Sequence, residues 1–309
     1  MTIEPNYFDY PHRGPGMDQD RYTFRRLSKA APVTWPDGAR LLVWVTLHLD
    51  HFPMDMPTKP FIPAGGMNRP GISVWDYTQR DYGNRVGVYR LMKLFDRHGI
   101  RPTVAMNSQV AMRYPFLLEQ ILQRDWEIAA SGIDMGHLHY GGLSQEAEHA
   151  QIEQSFADLR RLSGQAVRGW HSPAHSQSQA TPDLVAGAGG NYIADWINDD
   201  MPYIFATKNG ELTQMPLSYD LSDRKILYQQ SMPSAVYAHQ IDMACEYLRK
   251  EADVCGGRIL SLSLSPWVAG LPAQIRTIDA VLGRIMATSD TASANGEEIR
   301  QAWAEAQNN

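Results

Sequence analysis

Cysteine is scarce: the 309 residues contain only Cys245 and Cys255, ten apart and outside any Cys-x-x-Cys pattern. That pair builds neither a disulfide framework nor a zinc-thiolate site, so both read as reduced structural thiols. No uninterrupted apolar run reaches the roughly 18 residues that span a bilayer, and the opening MTIEPNYFDYPHRGPG has no apolar leader segment. A cytoplasmic location with no membrane partner is the expectation. Runs of Lys and Arg are missing too, and 28 basic against 34 acidic residues leave a formal charge of -6, which speaks against a nucleic-acid or anionic-lipid binder. Internal repeats and low-complexity stretches are absent. What is present, 43% apolar and 20% charged residues, is the composition of a globular protein with a deep core.

Residues 1–38 are rich in aromatic, Pro, Gly and Arg residues without helical or alternating period, the pattern of an arm laid over the body or a neighbouring subunit. The folded core is expected from Trp35-Pro36-Asp37-Gly38, as a single domain over 39–309. Its first element, residues 39–50, is a near-continuous apolar run ending in polar groups, as a buried parallel strand should be. Residues 52–83 read as a long Pro/Gly/Met-rich loop, and loops of that length in a compact domain are usually functional.

Strand and helix patterns then alternate. Short strands are expected at 103–106, 126–130, 167–170, 192–194, 212–216 and 258–263. Between and after them come helices at 85–98, from Pro115 to Gln123, from Ser144 to Ser163, from Thr181, at 234–251, 272–288 and 296–306. About seven strand-helix units without a linker predict an α/β fold, a distorted (β/α) barrel of about seven parallel strands. In such barrels chemistry sits where strands end. The first strand ends in His48 and Asp50, which share a face. The third leads into Ser131-Gly132-Ile133-Asp134-Met135-Gly136-His137-Leu138-His139, the fourth into Trp170-His171-Ser172-Pro173-Ala174-His175, and the last into Ser263-Leu264-Ser265-Pro266-Trp267.

Three stretches in order, 80–87 (RDYGNRVG), 95–103 (FDRHGIRPT) and 126–130 (WEIAA), resemble the polysaccharide deacetylase superfamily with its NodB-homology barrel. The stretch Asn198-Asp199-Asp200-Met201-Pro202-Tyr203 and the long loop before the first helix are similar to its branch of cofactor-independent allantoinases and cyclic imide hydrolases. The resemblance implies a seven-stranded barrel, a role in carbohydrate metabolism or in hydrolysis of carbon–nitrogen bonds other than peptide bonds, and a homodimer or homotetramer. An oligomer would also cover Tyr7, Phe8 and Tyr10 of the arm. For most members it implies a metal held by an Asp at the end of the first strand, matched by Asp50, and by two His after the third strand. Those two positions read Ser131 and Met135, a hydroxyl and a thioether that suit a divalent ion poorly. A His that relatives carry at the last strand is replaced by the Ser263 to Ser265 stretch.

Three readings follow. In the first, the protein opens a small cyclic amide, ureide or imide without a metal cofactor. Asp50 is then the base and His48, His137 or His139 the proton shuttle, while Ser131 and nearby amides hold the oxyanion. Arg80, Trp170, His171, Asp199, Ser263, Ser265 and Trp267 line the substrate, Arg80 by resemblance and the Trp residues as an apolar wall for a flat ring. In the second, a divalent metal such as zinc binds Asp50 through relocated ligands drawn from His137, His139, His171 and His175. In the third, the barrel mouth of an inert relative only binds a small molecule. Ser172 as a nucleophile has no Gly-x-Ser-x-Gly context to support it.

Overall fold

Residues Leu41–Leu49 form strand β1, all nine of them buried, in the computed structural model, which describes residues 19–54 and 74–308. On one side β1 pairs in parallel with β8 (Arg258–Leu264), with Thr46 opposite Ser263. On the other, its last four residues pair with β2 (Thr103–Met106) and its first three with the short β9 (Thr291–Ser293). The sheet continues through β3 (Glu127–Ala130), β4 (Gly169–Trp170), β5 (Tyr192–Ile193) and β7 (Gly210–Gln214), all parallel. An antiparallel edge strand, β6 (Tyr203–Thr207), completes it, so the ladder curls from β8 round to β6 without joining its ends. Seven parallel strands were expected, and all seven are found.

Helices cover the outside: α1 (Val74–Tyr82), α2 (Val88–His98), α3 (Ser108–Arg113), α4 (Pro115–Leu122), α5 (Gln145–Ser163), α6 (Thr181–Gly187), α7 (Ser234–Cys255), α8 (Pro266–Ala269), α9 (Pro272–Met286) and α10 (Gly296–Asn308). Their start and stop signals act as the sequence suggests. The Ser144 hydroxyl accepts from the Ala147 amide at 3.2 Å, and Gly99 ends α2 in the left-handed region at φ 63°. No helix among the described residues is long and apolar enough to cross a membrane.

Alternation along β1 divides the interior in two. Leu41, Val43, Val45, Leu47 and Leu49 face the helices, in a core that includes Leu91, Phe95, Ile128, Phe156 and Trp170. Leu42 and Trp44 face inward, with Tyr192, Met215, Ile259, Ile299 and Trp303. Gly169 makes room there: a Cβ on it would lie 2.2 Å from the Tyr192 hydroxyl.

Two boundaries move. Val33 and Trp35 belong to the inner core, Trp35 being 1% exposed with its indole N–H donating to the Arg258 carbonyl at 3.1 Å, so the barrel begins before residue 39. The rest of the described arm lies on its own body, where Arg21 pairs with Asp183 and Tyr22 packs 4.9 Å from Tyr203. Within the expected loop 52–83, residues Val74–Tyr82 are helical and run into a π-type turn at Gly83–Gly87. Tyr7, Phe8, Tyr10 and residues 55–73 lie outside the described residues.

Candidate active site

Above Trp44 the inward face of the barrel turns polar. Thr46 and His48 continue the even positions of β1, Asp50 follows its end, and Ser261, Ser263 and Ser265 do the same along β8. His171, the residue after β4, meets them edge-on, its ring centroid 5.9 Å from His48 and 6.1 Å from Trp44. His175 stands 5.8 Å from His48 on the other side. Ala174 and His175 both take left-handed backbone, φ 57° and 54°, which costs on the order of 1 kcal/mol per residue and turns the His175 ring back toward β1.

Burial sets the charge states. His171 is pushed down to about 3 by burial and then by His175. His175 falls to about 4 through burial and the neighbouring Arg224 guanidinium. His48 is likewise held well below the usual imidazole range, by burial first and then by His175, His171 and Arg224. All three are neutral near pH 7, with lone pairs free to accept. Burial pushes the Asp50 carboxyl up, and Arg224 and Arg80 pull it back toward ionisation. Arg224 Nη1 lies 3.6 Å from Asp50 Oδ2.

Trp267 forms the wall beside them. The Arg80 guanidinium lies 5.1 Å from its ring centroid and 4.5 Å from that of Phe52, and Arg224 lies 5.9 Å from the same indole. The π-type turn fixes this wall by close approach, since a Cβ on Gly87 would sit 2.0 Å from the Pro266 carbonyl oxygen. Behind it, buried Asp223 accepts from the amides of Ser265 at 2.7 Å and Ala269 at 3.2 Å, and burial raises it to about 7. The Asn84 amide donates to the Asp50 carbonyl at 3.0 Å, while the Asn107 side chain accepts from the His51 amide at 2.8 Å and donates to the Ser131 carbonyl.

Of the residues singled out in the sequence, Asp50, His48, His171, Ser263, Ser265, Trp267 and Arg80 converge here. Ser131 is buried at the end of β3, beside the Asn107 anchor. Trp170 does not join them. It is one position out of phase with His171, and so faces the helices, packing 5.6 Å from Phe156 and donating to the Ser172 hydroxyl at 3.0 Å. His137 lies on a half-exposed turn, its Nδ1 2.7 Å from Asp134. Asp199 binds the Met201 amide at 2.9 Å beside Arg25, and its neighbour Asp200 stands 3.7 Å from Arg258 at the start of β8. Six residue steps along the strand separate that end from Leu264, roughly 20 Å. Arg224, Asp223 and Asn84 were not foreseen, because they come from irregular segments in which no periodicity marks an inward face.

The superfamily's metal triad does not fit these residues. Ser131 and Met135 are buried where two imidazoles are needed, and no group of three or more His, Cys, Asp or Glu among the described residues is placed to hold a metal ion. His139, a candidate for a relocated ligand, is enclosed against Trp170 with its Nδ1 3.5 Å from Glu148.

Residues 78–193 match the polysaccharide deacetylase family. A Schizosaccharomyces pombe protein named "Putative polysaccharide deacetylase" is 23% identical over 298 residues, covering 87% of this chain and 92% of that protein. A "probable Polysaccharide deacetylase" from Pseudomonas aeruginosa PAO1 has a similar structure, with a TM-score of 0.81 at 22% identity over 91% of this chain and 98% of the other. A solved PuuE allantoinase gives 0.80 at 20% identity, over 91% and 97%. The likeness in fold therefore extends beyond residues 78–193.

Proposed function

We propose that this chain hydrolyses a carbon–nitrogen bond other than a peptide bond, opening a small cyclic amide, ureide or imide without the superfamily's metal triad. One observation carries the reading. Buried in one barrel mouth, Asp50 Oδ2, His48 Nε2, both His171 nitrogens, His175 Nδ1, the Ser263 and Ser265 hydroxyls and the Trp267 indole N–H have no protein hydrogen-bond partner among the described residues. Buried polar groups left unpaired cost about 1–3 kcal/mol each, so a fold keeps so many together only where something polar is bound. A ring of alternating C=O and N–H groups offers the acceptors and donors they need, and Trp267 offers its flat face.

In this reading Asp50 takes a proton from water, assisted by the neutral His48 at its side, while the water oxygen adds to the ring carbonyl. Collapse of the adduct breaks the C–N bond, and the proton returns to the departing nitrogen. Ser263 and Ser265 orient the ring. The resemblance in fold to an allantoinase supports this substrate class.

The test is a panel of hydantoin, dihydrouracil, allantoin and succinimide, offered to protein stripped with a chelator, with ring opening followed by NMR. The expected result is opening of at least one ring at a rate that added zinc leaves unchanged. Activity lost on chelation and regained with zinc would overturn the metal-free reading in favour of relocated ligands. Binding of a panel member without turnover would leave a ligand-binding relative.

A further inference from the structure

We infer that Arg224 is a catalytic residue of this site, the group that binds the scissile carbonyl and holds its oxygen as negative charge develops. This rests on the hydrolase reading above and assigns it an electrophile, which the loss of the metal positions leaves wanting. Arg224 lies in the Arg224–Gln229 turn, outside every strand end at which the sequence suggested chemistry. Its side chain is 24% exposed, and its guanidinium lies between the Trp267 face, 5.9 Å from the ring centroid, and Asp50. That guanidinium makes no hydrogen bond to any described residue. Its ion-pair contact is Asp50 Oδ2 at 3.6 Å, well beyond the roughly 2.7–2.9 Å of a closed charge-assisted hydrogen bond.

The gap has a chemical meaning. A base and an electrophile that close on one another are both consumed by the contact, whereas a base and an electrophile held slightly apart can act together on one carbonyl. The neighbouring Asp223 fixes the approach: its carboxylate is tied to the amides of Ser265 and Ala269, which anchors the start of the Arg224 turn to the base of the Trp267 wall. Guanidinium groups, with five N–H donors and a charge that persists at all relevant pH, suit an oxyanion well. In the step itself, the water oxygen bonds to the carbonyl carbon as its proton passes to Asp50, and the π pair moves to the carbonyl oxygen, where Arg224 meets it. The pair then returns, the C–N bond breaks, and the nitrogen takes the proton from Asp50. Atoms and charge balance with water as the sole co-reactant.

Arg224→Ala is expected to lower kcat for whichever panel ring the wild type opens by about 100- to 1,000-fold with little change in KM, as loss of an oxyanion donor does. Added guanidinium ion should restore part of that loss, whereas added sodium chloride should not. A kcat within tenfold of wild type, or a loss seen only in KM, would overturn the assignment while leaving ring opening in place. A second readout does not depend on turnover. Acetate, a minimal mimic of the charged oxygen, is titrated into both proteins by calorimetry. Binding by the wild type weakened at least tenfold in Arg224→Ala supports the inference; equal binding, or none by the wild type, overturns it even if no ring is opened.

Discussion

Two buried carboxylates, one at each end of the barrel, are treated in opposite ways. At the end where the strands begin, the Glu127 carboxylate accepts from the Thr103 hydroxyl at 2.7 Å, the Tyr192 hydroxyl at 2.8 Å, the Gly296 amide at 2.8 Å and the Glu297 amide at 3.2 Å. Thr103 in turn accepts from the Trp44 indole at 2.9 Å, and Trp35 closes the floor. Both oxygens of Glu127 are satisfied, and the network ties β2, β3 and β5 to the start of α10. At the other end, Asp50 Oδ2 has no hydrogen bond and the imidazoles around it keep open valences. Desolvation raises both carboxylates, yet Glu127 has both oxygens hydrogen-bonded whereas Asp50 Oδ2 has only the more distant Arg224. Satisfied burial is how a structure holds itself together, and unsatisfied burial at strand ends is what it presents to a ligand.

The comparison breaks hardest at Asp50. Asp50→Asn keeps shape and removes the base, and is expected to lower ring opening by roughly 100- to 10,000-fold. Its thermal midpoint should match or exceed that of the wild type, because the substitution relieves a desolvated charge. A variant that melts well below wild type would show Asp50 to be a structural carboxylate like Glu127, and would remove the contrast.

Glu127→Ala should do the reverse. The Gly296 and Glu297 amides and the Tyr192 and Thr103 hydroxyls lose their common acceptor, a loss of about 1–3 kcal/mol by urea denaturation. The rate per folded molecule should stay at the wild-type value. A fall in kcat without loss of stability would mean that the closed end communicates with the mouth.

How much of this could be read in the sequence differs between the two ends. β1 was legible because its run of apolar residues breaks into His48 and Asp50 only at the end, and parallel strands buried on both faces look like that. The β/α barrel followed from the order of strand and helix signals, and its deacetylase-like form from the resemblance of three short stretches. β6 was hidden because an edge strand with exposed Ile204 has no apolar period to show, and α1 because Val74 and Trp75 face outward. Parity was the second obstacle. Trp170 and His171 are adjacent and both looked functional, but neighbours on a strand face opposite sides, and only the register decides which one reaches the interior. The third was curvature: the loop after β5 that holds Asp199 runs toward the beginning of β8, since strands of a curled barrel are staggered and a strand end on one side stands level with a strand start on the other. Glu127 stood out only as part of the 126–130 stretch, and its four donors could not be read there, because satisfaction is a property of three-dimensional neighbours.

The smallest effect sharpens the comparison through pH, since one group from each end, His171 and Glu127, responds with opposite sign. His171 has a folded-state value of about 3 against an ordinary 6.5, so below 6.5 the unfolded chain takes up a proton that the folded one refuses. Its contribution is complete above pH 6.5 and is lost as pH falls toward 3. Glu127 is raised to about 7 from 4.5, by burial against the lowering effect of its hydrogen bonds, so the folded state keeps a proton that the unfolded chain releases. That contribution is complete below pH 4.5 and is lost as pH rises through 7. Between these limits the two trends oppose and partly cancel, so a modest wild-type change is expected. Urea midpoints measured at pH 5, 6 and 7.5 separate them: His171→Leu should flatten the acid side, and Glu127→Gln the neutral side. If His171→Leu leaves the acid side as steep as in the wild type, the imidazole is not held neutral by burial, and the mouth is more open to water than its unpaired atoms imply.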